Sequence, residues 1–88
     1  MPVALTRAGA SRLADAGFTK NISSRGVLFT AERELDVGGS IEYIITLIDE
    51  SSNPVSLRCV GKVVRQEKGD GAVAATMERY AFVRPREM

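Results

Sequence analysis

The chain has no histidine and no tryptophan, and Cys59 is its only cysteine. One thiol and no imidazole cannot assemble the usual ligand sets of structural zinc, and no internal disulfide can form, so a reducing cytoplasm is the expected setting. The same absences remove the commonest general base, and the expectation is a protein that is not an enzyme and uses no cofactor. Long apolar runs are missing as well. The longest, Tyr43 to Ile48, is interrupted by Thr46, and the opening Met1-Pro2-Val3-Ala4-Leu5 lacks the charged start and apolar stretch of a signal peptide. No membrane insertion is expected. Nor is there an excess of one charge: the formal net charge is +1, which gives little bulk attraction to DNA, RNA or an anionic membrane.

What is present suits one globular unit. The 88 residues are 44% apolar and 26% charged, which points to a single domain over residues 1–88 with one core. Nine arginines stand against three lysines, a bias toward the planar fork that fits phosphates, guanine edges and carboxylates.

Short β-branched and aromatic runs separated by Gly, Asn, Asp and Ser predict consecutive strands and an all-β fold. Strands are expected at Pro2–Arg7, Gly17–Ile22, Val27–Ala31, Ser40–Asp49, Val55–Gln66 and Ala72–Arg79. Ala8–Ala16 reads as a long loop or one weak helical turn, and Tyr80-Ala81-Phe82-Val83 as an apolar tail stopped by Pro85. In the clearest strand Ile41, Tyr43, Ile45 and Leu47 share one face, while Gly61 is placed to bend its strand at a barrel corner. No internal repeat is visible. Six such strands bury their faces best in a closed or nearly closed antiparallel barrel, although pattern alone does not choose among barrel families.

The acidic pairs Glu32 and Glu34, and Asp49 and Glu50, flank predicted turns, where solvated carboxylates are the default. Cys59 alternates with Leu57 and Val63 and reads as a small core hydrophobe. The informative segment is Asn21-Ile22-Ser23-Ser24-Arg25-Gly26 between two strands. Its residues form a plain hairpin turn readily. They can also form an anion-binding turn, with Asn and Ser donors beside exposed backbone N–H groups and Gly26 admitting a planar ligand.

This segment matches the (Asp/Asn)-x-Ser-x-x-Gly signature of PilZ domains, followed by Val27-Leu28-Phe29. Gly38-Gly39 before Ile41, Gly61-Lys62-Val63-Val64-Arg65, and Ala72-Val73-Ala74 leading to Tyr80-Ala81-Phe82-Val83-Arg84-Pro85 follow in the family's order, so the chain resembles that family over nearly its whole length. The resemblance implies a six-stranded antiparallel barrel. It also implies a surface site for cyclic di-GMP, a bacterial second messenger, at Asn21, Ser23 and Gly26, with Arg25 and Arg65 as further candidates.

The family's Arg-x-x-x-Arg motif ahead of the first strand has no match here. Arg7 and Arg12 are one residue too far apart, and Pro2–Arg7 reads as the first strand itself, which would set the arginine segment ahead of Met1. Two charge-assisted contacts worth on the order of 1.5 to 3 kcal/mol each would be lost with it. Three explanations fit: a member that works through protein contacts, an omitted upstream segment, or capture of the ligand by Arg7 and Arg12 in another geometry.

The resemblance therefore carries two readings, a cyclic di-GMP receptor acting on a protein output partner and a ligand-independent adaptor. A third reading is a barrel that binds single-stranded nucleic acid, which needs exposed aromatics and a positive groove. It is disfavoured, since most of Phe18, Phe29, Tyr43, Tyr80 and Phe82 are expected in the core and the charge is nearly balanced.

Overall fold

The alternation of apolar and polar side chains predicted for a half-buried strand is realised most fully between Ser40 and Ile48. There Ile41, Tyr43 and Ile45 are buried, and Leu47 packs partly buried against the same core. The computed structural model describes residues 1–48 and 53–83, and places in them seven strands: β1 (Pro2–Ala8), β2 (Ser11–Ile22), β3 (Gly26–Thr30), β4 (Ser40–Ile48), β5 (Pro54–Gln66), β6 (Ala72–Thr76) and β7 (Arg79–Val83). All pairings are antiparallel. Six strands close a ring in the order β1-β2-β3-β6-β5-β4, and β7 adds to β5 outside it. The chain is thus an all-β, six-stranded barrel with one extra strand. Among the described residues no helix is long and apolar enough to cross a membrane.

Expectations about three segments are corrected. The strand expected at Ala72–Arg79 ends at Thr76, and Arg79 opens β7. Ala8–Ala16 is neither loop nor helical turn. A two-residue connection, Gly9-Ala10, turns β1 directly into β2, with Gly9 at φ 60°, a conformation glycine adopts without a Cβ penalty. Ser11–Ala16 is poor in β-formers, and its pairing with β1 overrides that local preference. The apolar tail is a strand as well: β7 pairs residue for residue from Ser56↔Val83 to Val60↔Arg79. The segment's end at Pro85 and the acidic pair Asp49 and Glu50 lie outside the described residues.

β2 and β5 are the long strands, and each changes partner part-way. β2 pairs with β1 up to Phe18 and with β3 from Thr19; β5 pairs with β4 up to Lys62 and with β6 from Val63. The two corners are built alike. A Cβ on Gly17 would lie 2.0 Å from the Thr30 carbonyl oxygen, and one on Gly61 would lie 1.8 Å from that of Thr76, so only glycine allows these crossings. At each corner the next backbone N–H donates to the same threonine's Oγ1, Phe18 to Thr30 at 3.0 Å and Lys62 to Thr76 at 2.8 Å.

These corners belong to an internal repeat absent from the sequence reading. The cross-strand pairs Leu5↔Tyr43 and Leu28↔Ala74 sit at its centres. About them β1-β2-β3 matches β4-β5-β6, with Gly17 answering Gly61 and Thr30 answering Thr76. The Ala31 N–H bond to the Gly71 carbonyl is answered by that of Met77 to Arg25.

The core fills the ring from both halves. Phe29 and Tyr43 stack with ring centroids 5.6 Å apart. The enclosed Tyr43 hydroxyl donates to the Thr76 carbonyl at 3.0 Å, and burial pushes this phenol well above the ordinary tyrosine range. Cys59 is fully enclosed, as read from its strand position, and burial pushes its thiol up to about 11. The expectation that most aromatics are internal is corrected: Phe18, Tyr80 and Phe82 are exposed, because β7 lies outside the ring and Phe18 sits at a corner.

Candidate ligand-binding site

The turn from β2 to β3 is closed by the Ser23 N–H donating to the Gly26 carbonyl at 2.9 Å. The Ser23 hydroxyl reaches the same carbonyl and the Arg25 N–H only at 3.4 Å each, so it is weakly engaged within the turn. Asn21 is exposed at the end of β2, and its side chain makes no hydrogen bond among the described residues.

Two register shifts bring the remaining groups alongside. β2 slips against β3 between Thr19 and Asn21, and β5 slips against β6 between Val63 and Arg65. The slips answer each other in the internal repeat. Their result is one row across four strands, Asn21↔Leu28↔Ala74↔Arg65, with the central pair of the repeat in the middle. An open depression of about 300 Å³ lies over this row, lined by Asn21, Ser23, Gly26, Leu28, Arg65 and Ala74 together with Ile22, Val27 and Ala75.

The depression joins a turn with amide and hydroxyl groups, an apolar floor, and a guanidinium. Arg65 is exposed and comes no nearer than 3.9 Å to Glu67, so its fork is free to swing toward an anion. Gly26 has a structural reason to be glycine: a Cβ there would stand 2.7 Å from the Ala75 carbonyl oxygen, where β3 and β6 approach closely.

Of the residues singled out from sequence, the structure brings Asn21, Ser23, Gly26 and Arg65 together. Arg25 is exposed in the turn but does not line the depression; its backbone carbonyl accepts from Met77. Arg7 and Arg12 stand apart. They face each other beside the β1–β2 hairpin, and Arg7 is held by Glu42 at 2.9 Å. From Arg12 to Asn21 is nine residues of β2, about 30 Å along the strand at about 3.3 Å per residue. Leu28 and Ala74 were not anticipated as floor residues; only the register shifts, which sequence pattern does not display, align them with Asn21 and Arg65.

Glu32 and Glu34 are exposed in the β3–β4 connection, and among the described residues no group of three His, Cys, Asp or Glu could hold a metal ion. Comparison with family models, with curated proteins and with solved structures finds no match to the chain.

Proposed function

We propose that the protein is a non-enzymatic cytoplasmic module of the PilZ type that binds cyclic di-GMP on the outer wall of its barrel and passes the signal to a protein partner. The observation that carries this reading is the row Asn21↔Leu28↔Ala74↔Arg65 with Ser23 and Gly26 at its end. The apolar floor suits a purine face, the arginine fork suits a phosphate or the Hoogsteen edge of guanine, and the Asn21 amide and Ser23 hydroxyl supply short-range donors.

Calorimetric titration of cyclic di-GMP into the chain tests it. Micromolar binding is expected, with Arg65→Ala lowering affinity at least tenfold, as for loss of a charge-assisted contact of about 1.5–3 kcal/mol. Ser23→Ala and Asn21→Ala should each lower it several-fold. Gly26→Ala is a poor probe, since the added Cβ would disturb the β3–β6 contact whether or not a ligand binds. No heat of binding at any accessible concentration would remove the receptor reading.

The position of Arg7 and Arg12 favours a second reading, a ligand-independent adaptor. Neither lines the depression, so among the described residues Arg65 is the one arginine there. An adaptor keeps its partner when Ser23 is replaced, whereas a receptor loses its nucleotide response. Nucleic acid stays outside the proposal on the net charge of +1; the exposure of Phe18, Tyr80 and Phe82 means that aromatic burial no longer argues against it. Failure to retard a labelled oligonucleotide at low salt is the expected result.

A further inference from the structure

β7 ends its sheet with an edge that nothing among the described residues covers. Its five residues pair with β5 on one side only, and all five are exposed. An unpaired strand edge is a template for another strand, and proteins commonly guard it with charge.

The internal repeat supplies a control within the same molecule. Residues 12–16 of β2 occupy the place in the first half that 56–60 of β5 occupy in the second. The β5 segment has β7 beside it, while the matching side of the β2 segment pairs with no strand among the described residues. That open β2 edge is guarded: Asp15 holds Arg33 there through Nε at 2.6 Å and Nη2 at 3.3 Å. Among the described residues β7 has no comparable guard. Its one charge, Arg79, stands at the start, and Tyr80-Ala81-Phe82-Val83 follows.

Tyr80 and Phe82 lie opposite Cys59 and Leu57, so they continue outward the sheet face that forms the barrel interior. Their rings meet edge to face with centroids 6.5 Å apart, and they remain 60% and 62% exposed.

We propose that β7 pairs with β7 of a second copy of this chain, antiparallel and centred on Ala81, so that two barrels share one continuous sheet. A strand paired antiparallel with itself about a two-fold axis is self-complementary and closes as a dimer. Centring on Ala81 sets Tyr80 opposite Phe82 of the partner subunit, gathering four aromatic rings on one face. It also sets Arg79 opposite Val83 of the partner subunit, which keeps the two arginines at opposite ends of the ladder. Pairing β7 with the β2 edge of another copy would have to displace the Asp15–Arg33 bridge and would build an open chain of molecules.

Sedimentation equilibrium on the full chain should give twice the 9.5 kDa chain mass. Ala81→Glu would bring two carboxylates face to face and should yield a monomer with an unchanged far-ultraviolet circular dichroism spectrum. Should that variant fail to fold, Ala81→Cys decides. Directly opposed Cα atoms at about 4.5–5.5 Å lie within disulfide range, so mild oxidation should give a covalent dimer through position 81. The proposal is overturned by a wild-type monomer at every concentration, by a dimer that survives Ala81→Glu in folded form, by mass that grows without limit, or by no crosslink at position 81.

Discussion

After Thr30 and after Thr76 the two halves of the barrel do opposite things with the same starting geometry. In the first half, residues 31–39 fold back toward β5 and bury Leu35 in the core. Gln66 clamps this passage with both ends of its amide, accepting from the Leu35 N–H and donating to the Arg33 carbonyl, each at 2.8 Å. In the second half, residues 77–83 run on into β7, whose side chains all remain exposed. One barrel position is thus spent on internal packing and its counterpart on exposed surface. The difference shows that the repeat constrains the six-stranded ring, while the segments leaving it are free to serve stability or recognition.

The repeat itself can be broken at its corners, where the largest effects are expected. Gly17→Ala and Gly61→Ala each drive a Cβ against a threonine carbonyl oxygen at 2.0 or 1.8 Å, and should cost about 3 kcal/mol or more in urea unfolding. Gly69→Ala, with nothing within 4 Å of its Cβ, is the control and should be close to neutral. A large effect at one corner alone would show that the two are not equivalent.

The contrast between the departing segments sharpens next. Leu35→Ala should destabilise by about 2–3 kcal/mol, as for truncation of a buried leucine. Phe82→Ala should leave the unfolding midpoint of the monomeric Ala81→Glu form nearly unchanged, because its ring is 62% exposed there. Gln66→Ala, which strips both hydrogen bonds from the 31–39 passage, should cost about 1–2 kcal/mol.

The smallest effect concerns charge. The hydrogen bond from Arg33 holds the Asp15 carboxyl below its usual range, and Lys20 does the same to Asp70. A carboxyl whose pKa is lowered on folding stabilises above its unfolded value, so this contribution is present at neutral pH and fades as pH falls below about 4. Both pairs are open to solvent, with Asp15 partly covered. Asp15→Asn should therefore flatten the acid limb of the stability profile only slightly, and salt near 1 M should erase the difference.

Burial on one face writes itself as alternation, which is why β4 and β5 emerge from pattern alone; the Val27-Leu28-Phe29 run reads as a strand from its β-formers, and of its three side chains Leu28 lies outside the core. The corner at Gly61 was legible for a related reason, since glycine inside an apolar strand has few other purposes. Ser11–Ala16 was not, because alanine, aspartate and serine carry no strand preference and the pairing with β1 decides. The repeat stayed hidden: its shared content is a glycine and a threonine at each corner, and the spacing between them differs, 17 to 30 in one half and 61 to 76 in the other. Of the site, the turn residues Asn21, Ser23 and Gly26 could be named from sequence. The floor of Leu28 and Ala74 depends on two one-residue slips in register, and a slip has no signature in composition or periodicity.

Cys59 gives the molecule an intrinsic clock. It is the chain's only thiol, fully enclosed between Tyr43 of β4 and Tyr80 of β7, with its proton held up to about 11. At neutral pH an alkylating reagent can reach it only while the barrel is open. The labelling rate therefore reports how often the β4-β5-β7 seam parts, without any introduced probe.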